Sequence, residues 1–198
     1  MSFYSKLEAV NTMLLESGEH LVNDLNSEQG VDTSVAQFIL DQTTKTFITR
    51  GLANNRYAMK LTPDIHGNIF LPDGTCYAQI LDYYPNPETG GPMMTTVRTE
   101  PTRLFNIATQ SDVFDMAYNI DIIIEIKWED IDANVQKAII ATSSRDYQRV
   151  TLGDNYLDRA LAEKEMKLVA RGRAADINKK RRNIFSPFQA GTENPRMG

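Results

Sequence analysis

Cysteine is almost missing: Cys76 is alone among 198 residues and has no partner for an internal disulfide. Neither the fold nor the compartment therefore depends on oxidation, and a reducing cytosol suits the chain. Long hydrophobic runs are missing too. The longest apolar stretch, Ile120 to Ile126, is broken by Asp121 and Glu125, and the opening MSFYSKLEAV lacks the basic-then-apolar layout of a signal peptide. No export signal and no membrane span are expected. A net positive charge is also lacking. At −5 overall the chain is not one whose whole surface grips nucleic acid, because such binding rests on many lysines and arginines displacing phosphate counterions.

What remains is ordinary globular usage, 41% apolar and 24% charged residues, enough for one good core or two small ones. The charge is uneven. Arg171 to Arg182, RGRAADINKKRR, holds six basic residues against Asp176. It reads as a solvated tail beyond the last helix, or as a contact for nucleic acid or an acidic partner.

Leu7, Val10 and Leu14 fall at i, i+3 and i+7, and Gly18 supplies the left-handed residue that ends such a helix. A second helix fits roughly 32 to 50, capped by Asp32, Thr33 or Ser34, with Val35, Phe38, Ile39 and Phe47 as its apolar positions. The two form a helical hairpin through a loop holding Leu21, Val22 and Leu25.

After Gly51 the texture turns to short strands: 57–61, 68–71, 77–83, 94–97, 103–107 and 119–128, separated by TPDIHG, PDG and PNPETGGP turns. In the last of them Ile120, Ile122, Ile124, Ile126 and Trp128 share one face. Asn119, Asp121, Glu125 and Lys127 take the other, as a half-buried antiparallel strand requires. Asp132 then caps a helix carrying Val135, Ala138 and Ile139, and Asp154 caps a longer one carrying Leu157, Leu161, Leu168 and Val169. The expected class is α+β: a helical bundle from residues 1–52 and 129–178, an inserted antiparallel β subdomain at 53–128, and an extended tail at 179–198 ordered only against a partner.

Catalytic signatures are scarce. There is no Walker-type phosphate loop, no dinucleotide fingerprint and no Gly-x-Ser-x-Gly elbow. His20, His66 and Cys76 are too few for a zinc site without carboxylate help. His66 and Cys76 as base and nucleophile are a weak pair. No metal, no cofactor and no catalytic residue is expected. A small cytosolic carboxylate-dependent hydrolase stays open, because 26 Asp and Glu residues do not reveal which two converge; Glu125, Glu163 and Glu165 read as solvated. Nucleic-acid modules are missing, although the basic tail leaves a DNA-binding module as a further reading. In the tail, Arg181 and Arg182 followed by Phe185 and Phe188 suit docking into a protein groove.

The order of segments resembles the tail tubular protein A family, the head-to-tail adaptors of short-tailed phages (podoviruses). The resemblance spans roughly residues 7 to 176. LEAVNTMLLESGEHLVNDL carries it most clearly, through Leu7, Ala9, Val10, Asn11, Ser17, Gly18, Glu19, Val22 and Leu25. It continues in Arg50-Gly51, LTPDIHGNIFLP, KWEDI and ATSSRDYQR. Two departures stand out: the family's Gly-Trp-x-Phe-Asn is Gly51-Leu52-Ala53-Asn54-Asn55 here, and its Leu-Pro before the third helix is Ile131-Asp132.

The resemblance implies a structural, non-enzymatic virion protein, assembled in the host cytoplasm. Such adaptors form a twelve-subunit ring beneath the portal. The ring continues the DNA channel, without sequence-specific binding of the genomic double-stranded DNA ejected through it, towards the tail nozzle (tail tubular protein B), and it helps to seat the tail fibre. On that view Arg181, Arg182, Phe185 and Phe188 are the expected portal-docking residues.

Overall fold

The computed structural model describes residues 4–25, 30–81, 94–99 and 102–185, and the class is α+β. Four helices, α1 (Lys6–Glu16), α2 (Val31–Thr49), α3 (Ala133–Thr151) and α4 (Asn155–Phe185), bracket five strands: β1 (Arg56–Leu61), β2 (Thr75–Ile80), β3 (Thr95–Thr99), β4 (Thr102–Asn106) and β5 (Tyr118–Ile124). The chain divides into two compact units, one of Met1–Lys45 with Trp128–Gly198 and one of Thr46–Lys127. The division falls inside α2 rather than at residue 52. The last turn of α2 belongs with the β unit because buried Asn55 bonds the carbonyl of Ile48 through its side chain.

In the helical unit α1 begins at a full capping box. Ser5 Oγ accepts from the Glu8 backbone N–H at 3.1 Å, and the Glu8 carboxylate accepts from Ser5 N–H at 2.7 Å. It ends in a Schellman turn: Gly18, at φ +78°, donates to Leu15 and Glu19 donates to Leu14. Ala9, Val10, Met13 and Leu14 are the face it buries. The helix α3 is the most enclosed element, with Val135, Ala138, Ile139, Ile140 and Tyr147 buried alongside the polar Gln136, Ser143, Ser144 and Gln148. Its N-cap is Asp132, which accepts from Asn134 N–H at 2.9 Å. Gln136 locks the entry of the chain by accepting from Tyr4 N–H at 3.0 Å and donating to Trp128 O at 2.9 Å.

Two helical expectations need correction. The side of α2 turned inward carries Thr33, Ala36, Leu40 and Thr43, and Phe38 stays 63% exposed; a stripe of smaller residues packs, while part of the bulkier apolar stripe faces out. The segment 179–185, expected as the start of an extended tail, is the last two turns of α4. Nothing between Asn155 and Phe185 breaks a helix, and the next proline is Pro187.

The β unit holds a three-stranded antiparallel sheet in the order β1-β5-β2 and a β3-β4 hairpin. Residues 68–71, expected as a full strand, make only isolated bridges, Phe70 to Arg103 and Asn68 to Val113. The core gathers Ile69, Leu71, Ala78, Ile80, Leu104, Phe114, Tyr118, Ile120 and Ile122, with the Phe114 and Tyr118 rings edge to face at 5.8 Å. Strand β5 ends at Ile124, and Trp128 opens a 3-10 turn instead of extending the strand. Its second face is covered as well: Ile123 is buried and Asp121 is only 6% exposed. Burial of that carboxylate is tolerable because Arg56, diagonally across on β1, binds it through Nε at 2.9 and 3.0 Å and through Nη2 at 2.5 Å.

Candidate assembly surfaces

In the opening helix-and-turn unit the side chain of Asn11 donates to Val22 O at 2.8 Å and accepts from Val22 N–H at 2.9 Å. Asn11 thus satisfies both backbone groups of a loop residue as a neighbouring strand would, and pins the return of the chain after the Gly18 turn. Ala9 and Val10 face the core beside it. The spacing in LEAVN…SGE…V is therefore the spacing of one folded object.

Across the bundle α4 is stapled to α3. Arg145 binds Asp158 at 2.8 Å and Glu165 at 2.9 Å, and Arg149 binds the same Asp158 oxygen at 2.7 Å. Further along, Lys179 binds Asp132 at 2.7 Å, and Lys164 pairs with Glu16 of α1. Glu165, read above as solvated, is a member of this network; Glu163 and Glu125 are exposed. The hydrogen bonds from Arg145 and Arg149 hold the Asp158 carboxyl far below the usual carboxylate range, and the Asp158 and Glu165 carboxylates raise the Arg145 pKa. Burial pushes the adjacent Asp146 carboxyl up, helped by Glu165.

A depressed folded pKa contributes stability that is present above the unfolded carboxyl value, about pH 4, and is lost as pH falls through the folded value. Arg145→Met is accordingly expected to lower the melting temperature by several degrees at neutral pH. The penalty should shrink progressively below about pH 4, where Asp158 of the unfolded chain protonates, and be lost fully only once the folded carboxyl protonates too. Melting curves by circular dichroism over that range test it, and a penalty independent of pH would count against the network.

Helix α4 crosses α3 at Gly172, where an added Cβ would lie 3.1 Å from Ala138 Cβ and 3.1 Å from Asn134 O. Between α1, α3 and α4 lies a cavity of about 160 Å³, with Tyr4, Thr12, Lys137, Ile140, Lys164 and Leu168 among its walls.

The outward faces of α2 and α4 carry apolar side chains. Val31 is 78% and Phe38 63% exposed on α2; Tyr156 is 86%, Met166 69% and Ile177 half exposed on α4.

Of the residues expected to dock on the portal, Arg181, Arg182 and Phe185 lie on the helical backbone of α4, with Arg181 and Phe185 one turn apart. Phe188 lies outside the described residues. His66 sits exposed in the turn before Ile69, where Asp64 accepts from its backbone N–H. Cys76 donates from its thiol to Ile123 O at 3.3 Å, and partial burial pushes the thiol pKa up, which is the reverse of nucleophile activation. Among the described residues no group of three or more His, Cys, Asp and Glu is arranged to hold a metal, and no helix is long and apolar enough to cross a membrane.

Sequence reasoning missed the Arg145 network. The signal was the like-charged pair Arg145 and Arg149 one turn apart on α3, which calls for an acid from another element.

The two departures from the family pattern fit locally. Leu52 is buried where the family has Trp, and Ile131 is fully buried in the apolar place before the Asp132 cap. No curated protein sequence matches the chain. The family model described as tail tubular protein matches residues 7–182, from the first turn of α1 into the end of α4. The chain belongs to the tail tubular protein family, structural components of phage tails.

Proposed function

We propose that this chain is the head-to-tail adaptor: a closed ring, of twelve subunits, between portal and nozzle, through which the genome passes and against which the tail fibre is seated. The observation that carries this reading is the family match over 7–182, which takes in both compact units. The charge is consistent with it. A channel wall must let phosphates slide, so an acidic protein suits the task better than one that grips DNA with many cations. A ring also needs one face of each subunit to meet a different face of the next, and assembly of this kind requires no nucleophile.

Native mass spectrometry of the purified chain, alone and with its cognate portal, tests the reading. A closed multimer in either sample is expected; a persistent monomer in both would overturn it. The end of α4, with Arg181, Arg182 and Phe185, and Phe188 beyond it in sequence form the portal-docking segment in this proposal. Removing residues 181–198 retains the Lys179–Asp132 and Lys180–Asp176 pairs, so the bundle should persist while portal binding drops at least about tenfold. Portal binding unchanged by the truncation would sink the docking assignment.

A further inference from the structure

Two apolar stripes in the helical unit have charged surroundings of opposite sign. On α2, Val31, Val35 and Phe38 fall at i, i+4 and i+7 and so share one side of the helix. At 100° per residue, Tyr156, Met166 and Ile177 of α4 fall within about 80° of arc, and the exposed small residues Ala170 and Ala174 lie between them. Each stripe is turned away from the packing of its own helix. The inward sides are Ala36, Leu40 and Thr43 on α2, and Leu161 with Gly172 on α4.

The charges separate sharply. Residues 17–45 hold five acids, Glu19, Asp24, Glu28, Asp32 and Asp41, and a single cation, Lys45; Asp41 is paired with Lys6 of α1. Asp32 and Glu19 act on one place: both carboxylates add to the burial that pushes buried Tyr147 up to about 12. The helix α4 carries nine basic residues against four acids. Asp158, Glu165 and Asp176 are engaged in ion pairs within the unit, as are Lys164, Lys179 and Lys180. Arg159, Lys167 and Arg173 stand exposed beside the apolar stripe.

We infer that the occupant of each stripe is a second copy of this chain: the α2 stripe of one copy packs on the outer side of α4 of the next. The carboxylates of Glu19 and Asp32 face Arg159, Lys167 and Arg173. Two different, complementary faces on one chain give a head-to-tail contact, which propagates around a ring. Like faces would meet with like charge, α4 against α4 most severely, so a two-fold dimer through either stripe is disfavoured. The inference rests on the ring reading and adds to it which faces meet.

The test uses full-length chains in a Cys76→Ser background, so that the exposed native thiol does not react. Phe38→Cys and Met166→Cys variants are prepared singly, assembled alone or mixed, with portal added where it is needed for multimers, and treated with a short bismaleimide. Both sites are exposed, so folding should survive, and circular dichroism checks it. Linked dimers are expected from the mixture and not from either variant by itself; the double variant should give a ladder of linked multimers. Reversing charge with Asp32→Lys should weaken multimers, and adding Arg159→Glu with Arg173→Glu should restore them. Multimers that form without cross-links, or single variants that link to themselves, overturn the face assignment and leave the ring standing. Monomers under every condition overturn the ring reading and this inference together.

Discussion

Asn55→Leu is expected to destabilise the β unit by about 3 kcal/mol and to speed amide exchange in β5 about 100-fold. The Asn55 side chain is fully buried and makes three hydrogen bonds. Its Oδ1 accepts from Leu52 N–H at 2.6 Å, and its Nδ2 donates to Ile48 O at 3.1 Å and to Ile124 O at 2.9 Å. Leucine has the same branched shape and is somewhat larger, so the change opens no cavity. It instead strands one backbone donor and leaves two backbone acceptors short of a bond, and each buried unsatisfied group costs about 1–3 kcal/mol. Partial relaxation brings the sum back towards the lower figure. Hydrogen exchange of the Ile120 to Ile124 amides is the direct measurement. A loss below about 1 kcal/mol would mean that water replaces the amide, and that the turn after α2 is not held as described.

Gly172→Leu should cost about 3 kcal/mol in the helical unit, by overpacking a helix crossing that has no slack. The two contacts at 3.1 Å are with Ala138 Cβ and the carbonyl oxygen of Asn134. Neither is the end of a flexible side chain, so α4 must move. Moving it also strains the Lys179–Asp132 pair, one face along the helix. Gly172→Ala is the informative companion. A gain in helix propensity of about 1 kcal/mol offsets milder crowding, and the variant should stay close to the parent. Urea unfolding followed by circular dichroism and by fluorescence of Trp128, the single tryptophan, reads both. Equal stability of the leucine variant and the parent would refute the close crossing.

The elements that were legible in the sequence are those whose signals are local. The Leu7, Val10 and Leu14 spacing marks α1 and Gly18 its end; Asp132 marks the start of α3; turn residues punctuate the β unit. Orientation was less legible. On α2 Phe38, read as a core position, lies outward, while Val35, Ile39 and Phe47 are partly buried; the fully packed residues Ala36 and Thr43 give a weak hydrophobic signal. Buried polar groups were not legible at all. Asn55, Gln136 and Asp121 look like surface residues by type, and only the partners brought by folding make their burial tolerable. The surfaces for assembly follow the same division. The basic run and Phe185 were visible as composition, but their place on a continuing helix depended on the lack of any stop signal before Pro187. The pairing of Arg145 with Asp158 and Glu165 needed the α3-α4 turn to be known first.

The pairing of β1 with β5, which sets Arg56 opposite Ile123, bears on the order in which the chain folds. The helical unit is interrupted by residues 46–127, and closing so long a loop costs entropy. Once β1 and β5 have met, only the short arms 46–55 and 124–127 remain to be closed. Each halving of loop length returns about 0.6 kcal/mol, so prior folding of the insert lowers the closure cost for the bundle by roughly 1.5 kcal/mol. The insert emerges from synthesis before α3 and α4. It can therefore fold first, bringing the ends of the interrupted bundle together before the C-terminal helices exist to meet them.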